Sequence, residues 1–381
     1  MLFTPANHEP LTDAAWNEQR VRDAIRAIAK DAEDALEPGA GWPAHPLDED
    51  EPRVFRTLYL GAAGVVWALA ELERRGFAEL RRDYVPLLER VLEAEREAPD
   101  FDEYDDPERS LLMGECGVVL VLHLLRPEPE REARLAELIA ANAQDKRREL
   151  MWGSPGTMLA ARRLGRGDLW RESADRLLEQ WDGESGVWTQ ELYGRTRRFL
   201  GPVHGFAGNV LALAAEPDAA LERRAVETLR RYAIIEDNLA NWPPELDSPF
   251  DGRGGIRVQY CHGSPGMVAS LARLAPSDDE HERLLLAGGE LTWQTGPLAK
   301  GANLCHGTAG NGYAFLQLHE RTGDERWLGR ARAFAMHALE QVERARREYG
   351  RGRHTLWTGD PGTALYLADC VAGAGEFPSC P

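Results

Sequence analysis

LCHGTAGNGYAFL, running from Leu304 to Leu316, is the stretch whose reading decides the fold. A glycine, two residues and a second glycine stand directly before an apolar run. The arrangement recurs in YLGAAGVVWAL at Gly61, LMGECGVVLVL at Gly114, MWGSPGTMLAA at Gly153 and VHGFAGNVLAL at Gly205. It recurs again in YCHGSPGMVASL at Gly263 and WTGDPGTALYL at Gly359. One Gly-x-x-Gly carries no information, but seven at a spacing of roughly fifty residues form a repeat of helical-hairpin length. Glycine suits such turns because it accepts positive φ and permits close backbone approach.

Each apolar run is followed by a more charged stretch of helical period, as in Leu169–Gln180, Ala219–Tyr232, Glu280–Trp293 and Asp324–Val342. In the last, Trp327, Leu328, Ala331, Phe334, Ala335 and Leu339 mark one face, and Glu325, Arg326 and Glu340 the other. Strand signals are rare. Each repeat therefore reads as one apolar helix, which must be buried, and one amphipathic helix, which must cover it. Seven such pairs predict an all-α fold, an α/α toroid with seven inner and seven outer helices. A helix near 14–36 serves as the first outer partner, and residues 1–381 form one domain. Closure would gather the glycine turns at one end. An open solenoid is the competing arrangement, but capping repeats with a polar outer face are not evident.

Composition narrows the function classes. Hydrophobic residues make up 43% of the chain, ample for a core. Lys and Arg total 45 against 63 Asp and Glu, a net charge of -18 with no basic block, which argues against nucleic acid or an anionic membrane as partner. No stretch approaches the ~18 apolar residues of a membrane span. The opening MLFTPANHEPLTDAAWNEQR lacks the charged and apolar regions of a secretory signal. Five cysteines, Cys116, Cys261, Cys305, Cys370 and Cys380, are too few and odd in number for a disulfide framework. A cytoplasmic protein is expected.

Two of those cysteines share one register. Cys261-His262 and Cys305-His306 each stand immediately before the first glycine of a turn. Sulfur and imidazole donors converging at one mouth are what a single zinc ion needs. Coordination by both histidines would close a four-ligand site; coordination by one would leave a position for a thiol. His204 occupies the same place in the fourth turn and is a candidate acid/base. Arg257, four residues before Cys261, is a candidate for holding a carboxylate or enolate oxygen, and Glu149, beside the third turn, for orienting a base. Lys300 is a candidate anion-binding cation. His123, His281, His319 and His337 share no register and read as structural, and Trp242-Pro243-Pro244 reads as a rigid loop lining the opening.

At these residues the chain closely resembles the lanthionine synthetase C-like family, which includes bacterial lanthipeptide cyclases and eukaryotic relatives. The resemblance runs from Gly61 to about Leu367 and is sharpest from Asn241 onward, in NWPP, YCHGSPG and KGANLCHGTAGNGYAFL. It implies a toroid with one zinc held by Cys261, Cys305 and His306, a general acid/base at His204, an arginine at Arg257 and an acidic position at Glu149. The cyclases carry aspartate where this chain has Glu149. His262 and Lys300 follow the eukaryotic type, which is associated with glutathione. The implied reaction is zinc-dependent addition of a thiol, from a peptide cysteine or glutathione, to dehydroalanine or dehydrobutyrine, giving a thioether. The substrate would be a dehydrated peptide or protein from a separate dehydratase or kinase-like partner. A non-catalytic zinc-containing scaffold is the alternative, and a carbohydrate-processing α/α barrel ranks below both.

Overall fold

The computed structural model of the chain describes residues 1–381 except 217, 249, 276 and 277. Its helices run α1 (Glu18–Asp34), α2 (Ala62–Arg74), α3 (Val85–Glu97), α4 (Glu115–Leu125) and α5 (Pro129–Asn142). Then come α6 (Ser154–Arg163), α7 (Gly167–Glu179), α8 (Phe206–Leu213), α9 (Ala219–Tyr232) and α10 (Ser264–Leu271). The series ends with α11 (Asp279–Thr295), α12 (Thr308–Thr322), α13 (Glu325–Tyr349) and α14 (Asp360–Ala372). The seven even-numbered helices each start directly after the first glycine of a turn. They are the apolar helices; all of α10, and α14 from Asp360 to Cys370, are buried. The odd-numbered helices cover them with one apolar face. Several begin at a side-chain cap, including Asn17, Asp218 and Asp324, whose oxygens accept backbone N–H groups of the first turn.

The inner helices have glycine where such a cap would stand, so their first N–H groups need other acceptors. In four of them the preceding loop supplies these by folding back over the helix start, and at α10 the Asn241 side chain accepts the Ser264 N–H (2.8 Å). Ala62 N–H donates to the Phe55 carbonyl (3.0 Å), Phe206 to Phe199 (3.0 Å), Thr308 to Gly301 (2.9 Å) and Asp360 to Arg353 (2.8 Å). The fold-back presses one carbonyl against the second glycine of each turn. A Cβ on Gly64, Gly117, Gly156, Gly208, Gly266, Gly310 or Gly362 would collide with the carbonyl oxygen of Leu58, Leu111, Leu150, Pro202, Tyr260, Leu304 or Leu356, respectively.

Neighbouring turns are then bonded to each other. Tyr59 N–H donates to Leu112 (2.9 Å), the Ser110 hydroxyl to the Met151 carbonyl (2.6 Å) and Leu150 N–H to Val203 (3.1 Å). Cys261 N–H donates to Cys305 (3.1 Å) and Cys305 N–H to Trp357 (2.9 Å). Between the fourth and fifth turns, Gly201 lies against the Cys261 carbonyl. Trp357 N–H donates to Tyr59 (3.2 Å), joining the seventh turn to the first. Meanwhile α14 packs on both α1 and α2. The ring is closed: an α/α toroid rather than an open solenoid.

Two features depart from the sequence expectation. Two short antiparallel hairpins interrupt the helical pattern, β1 (Gln190–Leu192) with β2 (Arg195–Arg197) and β3 (Ile234–Glu236) with β4 (Leu239–Asn241). Their turns hold Tyr193 at φ 55°, Gly194 at φ 69° and Asp237 at φ 54°, the left-handed conformation of tight hairpins. Trp242-Pro243-Pro244 is buried instead of lining the opening, and the Trp242 indole donates to the Leu229 carbonyl (2.8 Å). His337 is structural, bonded to Glu9 (2.7 Å) and to the Thr12 N–H (3.1 Å). Among the described residues no helix is long and apolar enough to cross a membrane.

The turn packing makes a direct prediction for stability. Gly117→Ala should cost about 1–3 kcal/mol or more, because its Cβ has no space beside the Leu111 carbonyl. Gly329→Ala, on the exposed face of α13 with nothing nearby, should gain about 0.5–1 kcal/mol. Urea unfolding of both variants checks this; a neutral Gly117→Ala would contradict the close approach.

Candidate metal and catalytic site

Because the turns repeat, residues at the same offset from the first glycine come to the same end of the ring. The residue one before it is His204, His262 and His306 in three consecutive turns, and the residue two before it is cysteine in the last two of those. The fifth turn is distorted: Gln259 and His262 pair through their backbones, and Gly263 takes φ 104°, which L side chains rarely adopt.

Cys261 and Cys305 are 6% and 5% exposed, and their side chains are neighbours. The Gln259 amide donates to Cys261 Sγ (2.9 Å), and the Tyr59 hydroxyl lies on Cys305. The neighbouring Cys305 thiol holds the Cys261 thiol down to about 7 against the effect of burial, and Cys305 is pushed well up in return. Both cysteines are free of disulfides. Burial, with His204 and the Arg257 and Lys300 cations nearby, drives His262 far below the usual imidazole range, and burial with Lys300 takes His306 to about 4. Both rings are therefore neutral near pH 7, the form that ligates a metal. His262 Nδ1 is buried without a hydrogen-bond partner.

This donor set suits zinc chemically: two soft sulfurs, each followed by an imidazole. Among the described residues, however, no three His, Cys, Asp or Glu side chains stand together as a ligating group. The two sulfurs meet; neither His306 nor His262 joins them.

Glu149 is wholly buried in the turn before His204. Its two oxygens accept the N–H groups of Trp152 (2.6 Å) and Met151 (3.1 Å), and Oε2 also meets His204 Nδ1 (2.9 Å). Part of this is turn capping. Ser110 and Asn303, at the same offset in other turns, likewise accept the N–H three residues on. The second oxygen is what distinguishes Glu149. A carboxylate facing two other N–H donors can only accept from the ring, so Nδ1 carries the proton and Nε2 is left for other partners. The His204 side chain is 17% exposed and framed by Phe199 and Tyr193, with ring centroids at 5.8 and 6.3 Å. It stacks on His262 at 6.1 Å.

Arg257 and Lys300 line a cleft of ≈ 410 Å³ next to Gln259. Lys300 Nζ donates to the Gln259 amide oxygen (3.2 Å), so Gln259 links the cation to the Cys261 sulfur. Arg257 is exposed. Within the described residues neither cation has an acidic partner, although most other arginines near the turns do.

A family model described as lanthionine synthetase C-like protein matches residues 54–381. The chain belongs to that family. The LanC-like protein GCL1 of Arabidopsis thaliana is 33% identical over 191 residues, covering 48% of this chain and 43% of that protein. Glutathione S-transferase LANCL1 of Danio rerio is 32% identical over 202 residues, 50% of this chain and 46% of that protein. The chain thus spans under half the length of either relative. Nisin cyclase superposes with a TM-score of 0.60 at 16% identity, covering 93% of this chain and 94% of its own, a likeness of fold.

In this LanC-like chain the described geometry brings the predicted residues to one end in two groups, Glu149–His204–His262 and Cys261–Cys305–Lys300. Arg257 stands at their edge. Gln259, Tyr59 and Phe199 join the site without having been singled out in the sequence. Gln259 alone carried a signal, as the polar residue at the offset of Glu149 and Asn303.

The Glu149 contact fixes the tautomer of His204. Imidazole ¹⁵N NMR of the neutral ring should show a protonated Nδ1 and a bare Nε2, and Glu149→Ala should abolish that preference. A protonated Nε2 in the parent protein would contradict the arrangement.

Proposed function

We propose that the chain catalyses zinc-dependent addition of a thiol to dehydroalanine or dehydrobutyrine, forming a lanthionine-type thioether. The observation that carries this reading is a buried pair of thiols at the same mouth as a histidine oriented by a buried carboxylate. Zinc, held by Cys261, Cys305 and His306, would supply Lewis acidity that keeps a substrate thiol as thiolate. His262, beside it, would line the thiol's place.

The chain's own residues divide the remaining work. The substrate sulfur bonds to the β-carbon, and the electron pair of the double bond shifts toward the neighbouring carbonyl. Arg257 faces the resulting enolate oxygen. His204 takes up the thiol proton at Nε2 and returns it to the α-carbon, with Glu149 stabilising the imidazolium in between. Nothing is lost from either reactant, so the reaction is a net addition. Lys300, anchored on Gln259, is placed to hold a carboxylate of the thiol donor. A glutathione-like donor suits those two free cations better than a peptide cysteine does, and the electrophile would then be a dehydrated peptide or protein made by a separate dehydratase or kinase-like partner. Five free cysteines support a reducing, cytoplasmic setting.

Mass spectrometry of zinc-supplemented protein with a dehydroalanine peptide and glutathione tests the reading. A glutathione adduct that disappears in Cys305→Ala and slows about 10²–10⁴-fold in His204→Asn is expected. A cysteine-bearing peptide that becomes alkylation-resistant at unchanged mass would identify a cyclase instead. If neither product forms with zinc bound, the chain is a scaffold and the proposal fails.

A further inference from the structure

The inner helices start at the glycine turns, so their C-terminal ends surround the opposite mouth. There α14 ends at Ala372, and the following segment turns back into the lumen. It is fastened on the way: Gln317 Nε2 donates to the Gly375 carbonyl (2.8 Å), Arg273 pairs with Glu376, and Arg163 donates to the Pro381 carbonyl (2.8 Å). A cavity of ≈ 580 Å³ remains beside it. Between these anchors, Phe377 reaches the underside of the turns. Its ring lies face to face with Tyr260, with centroids 3.4 Å apart and planes within 3°. It also packs edge-on against Trp357 (5.2 Å) and Tyr313 (5.2 Å). The Ser379 hydroxyl donates to the Phe377 carbonyl (3.3 Å), bracing the turn that carries the ring.

Two of these rings belong to residues bonded to a cysteine, one covalently and one through a backbone hydrogen bond. Tyr260 is the residue before Cys261, and the Trp357 carbonyl accepts the N–H of Cys305 (2.9 Å). The two cysteines are joined in turn by the Cys261 N–H to Cys305 carbonyl bond (3.1 Å). Phe377 therefore packs on both segments that hold the cysteine backbones. We propose that Phe377, with Ser379, is a positioning residue that sets the relation of the Cys261 and Cys305 sulfurs from the far side of the toroid. This rests on the reading of those sulfurs as the centre of the site.

The test compares Phe377→Ala, Phe377→Leu and Ser379→Ala with Phe315→Leu, a buried aromatic packed among Trp293, Trp327 and Phe334 away from the turns. In metal-free protein, alkylation of Cys261 and Cys305 by iodoacetamide, read by peptide mass mapping, should speed up about tenfold in Phe377→Ala. Phe377→Leu and Ser379→Ala should be intermediate, and Phe315→Leu unchanged at a comparable loss of thermal stability. With cobalt in place of zinc, the sulfur-to-metal absorption should shift in the Phe377 variants only. Folded Phe377 variants with parental alkylation rates would overturn the proposal, as would equal acceleration in Phe315→Leu. If Phe377→Ala does not fold, the two milder variants decide. Failure of the parent protein to bind cobalt would count against the zinc reading, while the alkylation comparison would still decide the role of Phe377.

Discussion

In every turn of this toroid a backbone carbonyl fills the space where a side chain on the second glycine would stand. That contact is possible only for glycine, and the rest follows from it. The loop can fold back far enough to accept the first N–H groups of α2, α8, α12 and α14, while the Asn241 side chain takes that of α10. The turns then lie close enough to bond to one another around the ring, from Tyr59 to Leu112 and finally from Trp357 back to Tyr59. A site assembled from different repeats needs such a frame, because its members come from separate hairpins.

Electrostatics at the mouth differ from those of the surface. The chain carries a net charge of -18, and its arginines are mostly held by carboxylates, as in Arg353 with Asp48 and Arg56 with Asp100. Among the described residues Arg257 and Lys300 are exceptions, and they share one cleft. Next to them, burial keeps His262 and His306 neutral while the neighbouring Cys305 thiol makes Cys261 the more acidic sulfur. Cations open to solvent beside neutral, buried donors suit an anionic thiol better than a bulk apolar ligand.

Much of the fold was legible because the repeat is a local signal. Each inner helix begins where its glycine stands, and the outer stretch read at Ala219–Tyr232 coincides with α9. That Cys261, Cys305, His204, His262 and His306 come to the same end of the ring was legible for the same reason, since each stands just before the first glycine of a turn. What escaped lies outside the repeat. The hairpins depend on Tyr193 and Asp237 in left-handed conformation, which neither residue announces. Trp242 is drawn inward by an indole bond to Leu229, in the helix that precedes its hairpin. The link of Gln259 to both Cys261 and Lys300 depends on a backbone pairing with His262 that no spacing reveals. Phe377 follows the last repeat and has no register at all; its meeting with Tyr260 is purely tertiary.

The central proposal is that zinc would join the two sulfurs that the turn ring brings together from separate repeats. Zinc K-edge X-ray absorption on protein purified with zinc, alongside metal stoichiometry by mass spectrometry, tests it most directly. The account predicts one zinc per chain with two sulfur neighbours at about 2.3 Å and the remaining positions filled by nitrogen or oxygen. A chain that retains no zinc, or a zinc shell without sulfur, would contradict it.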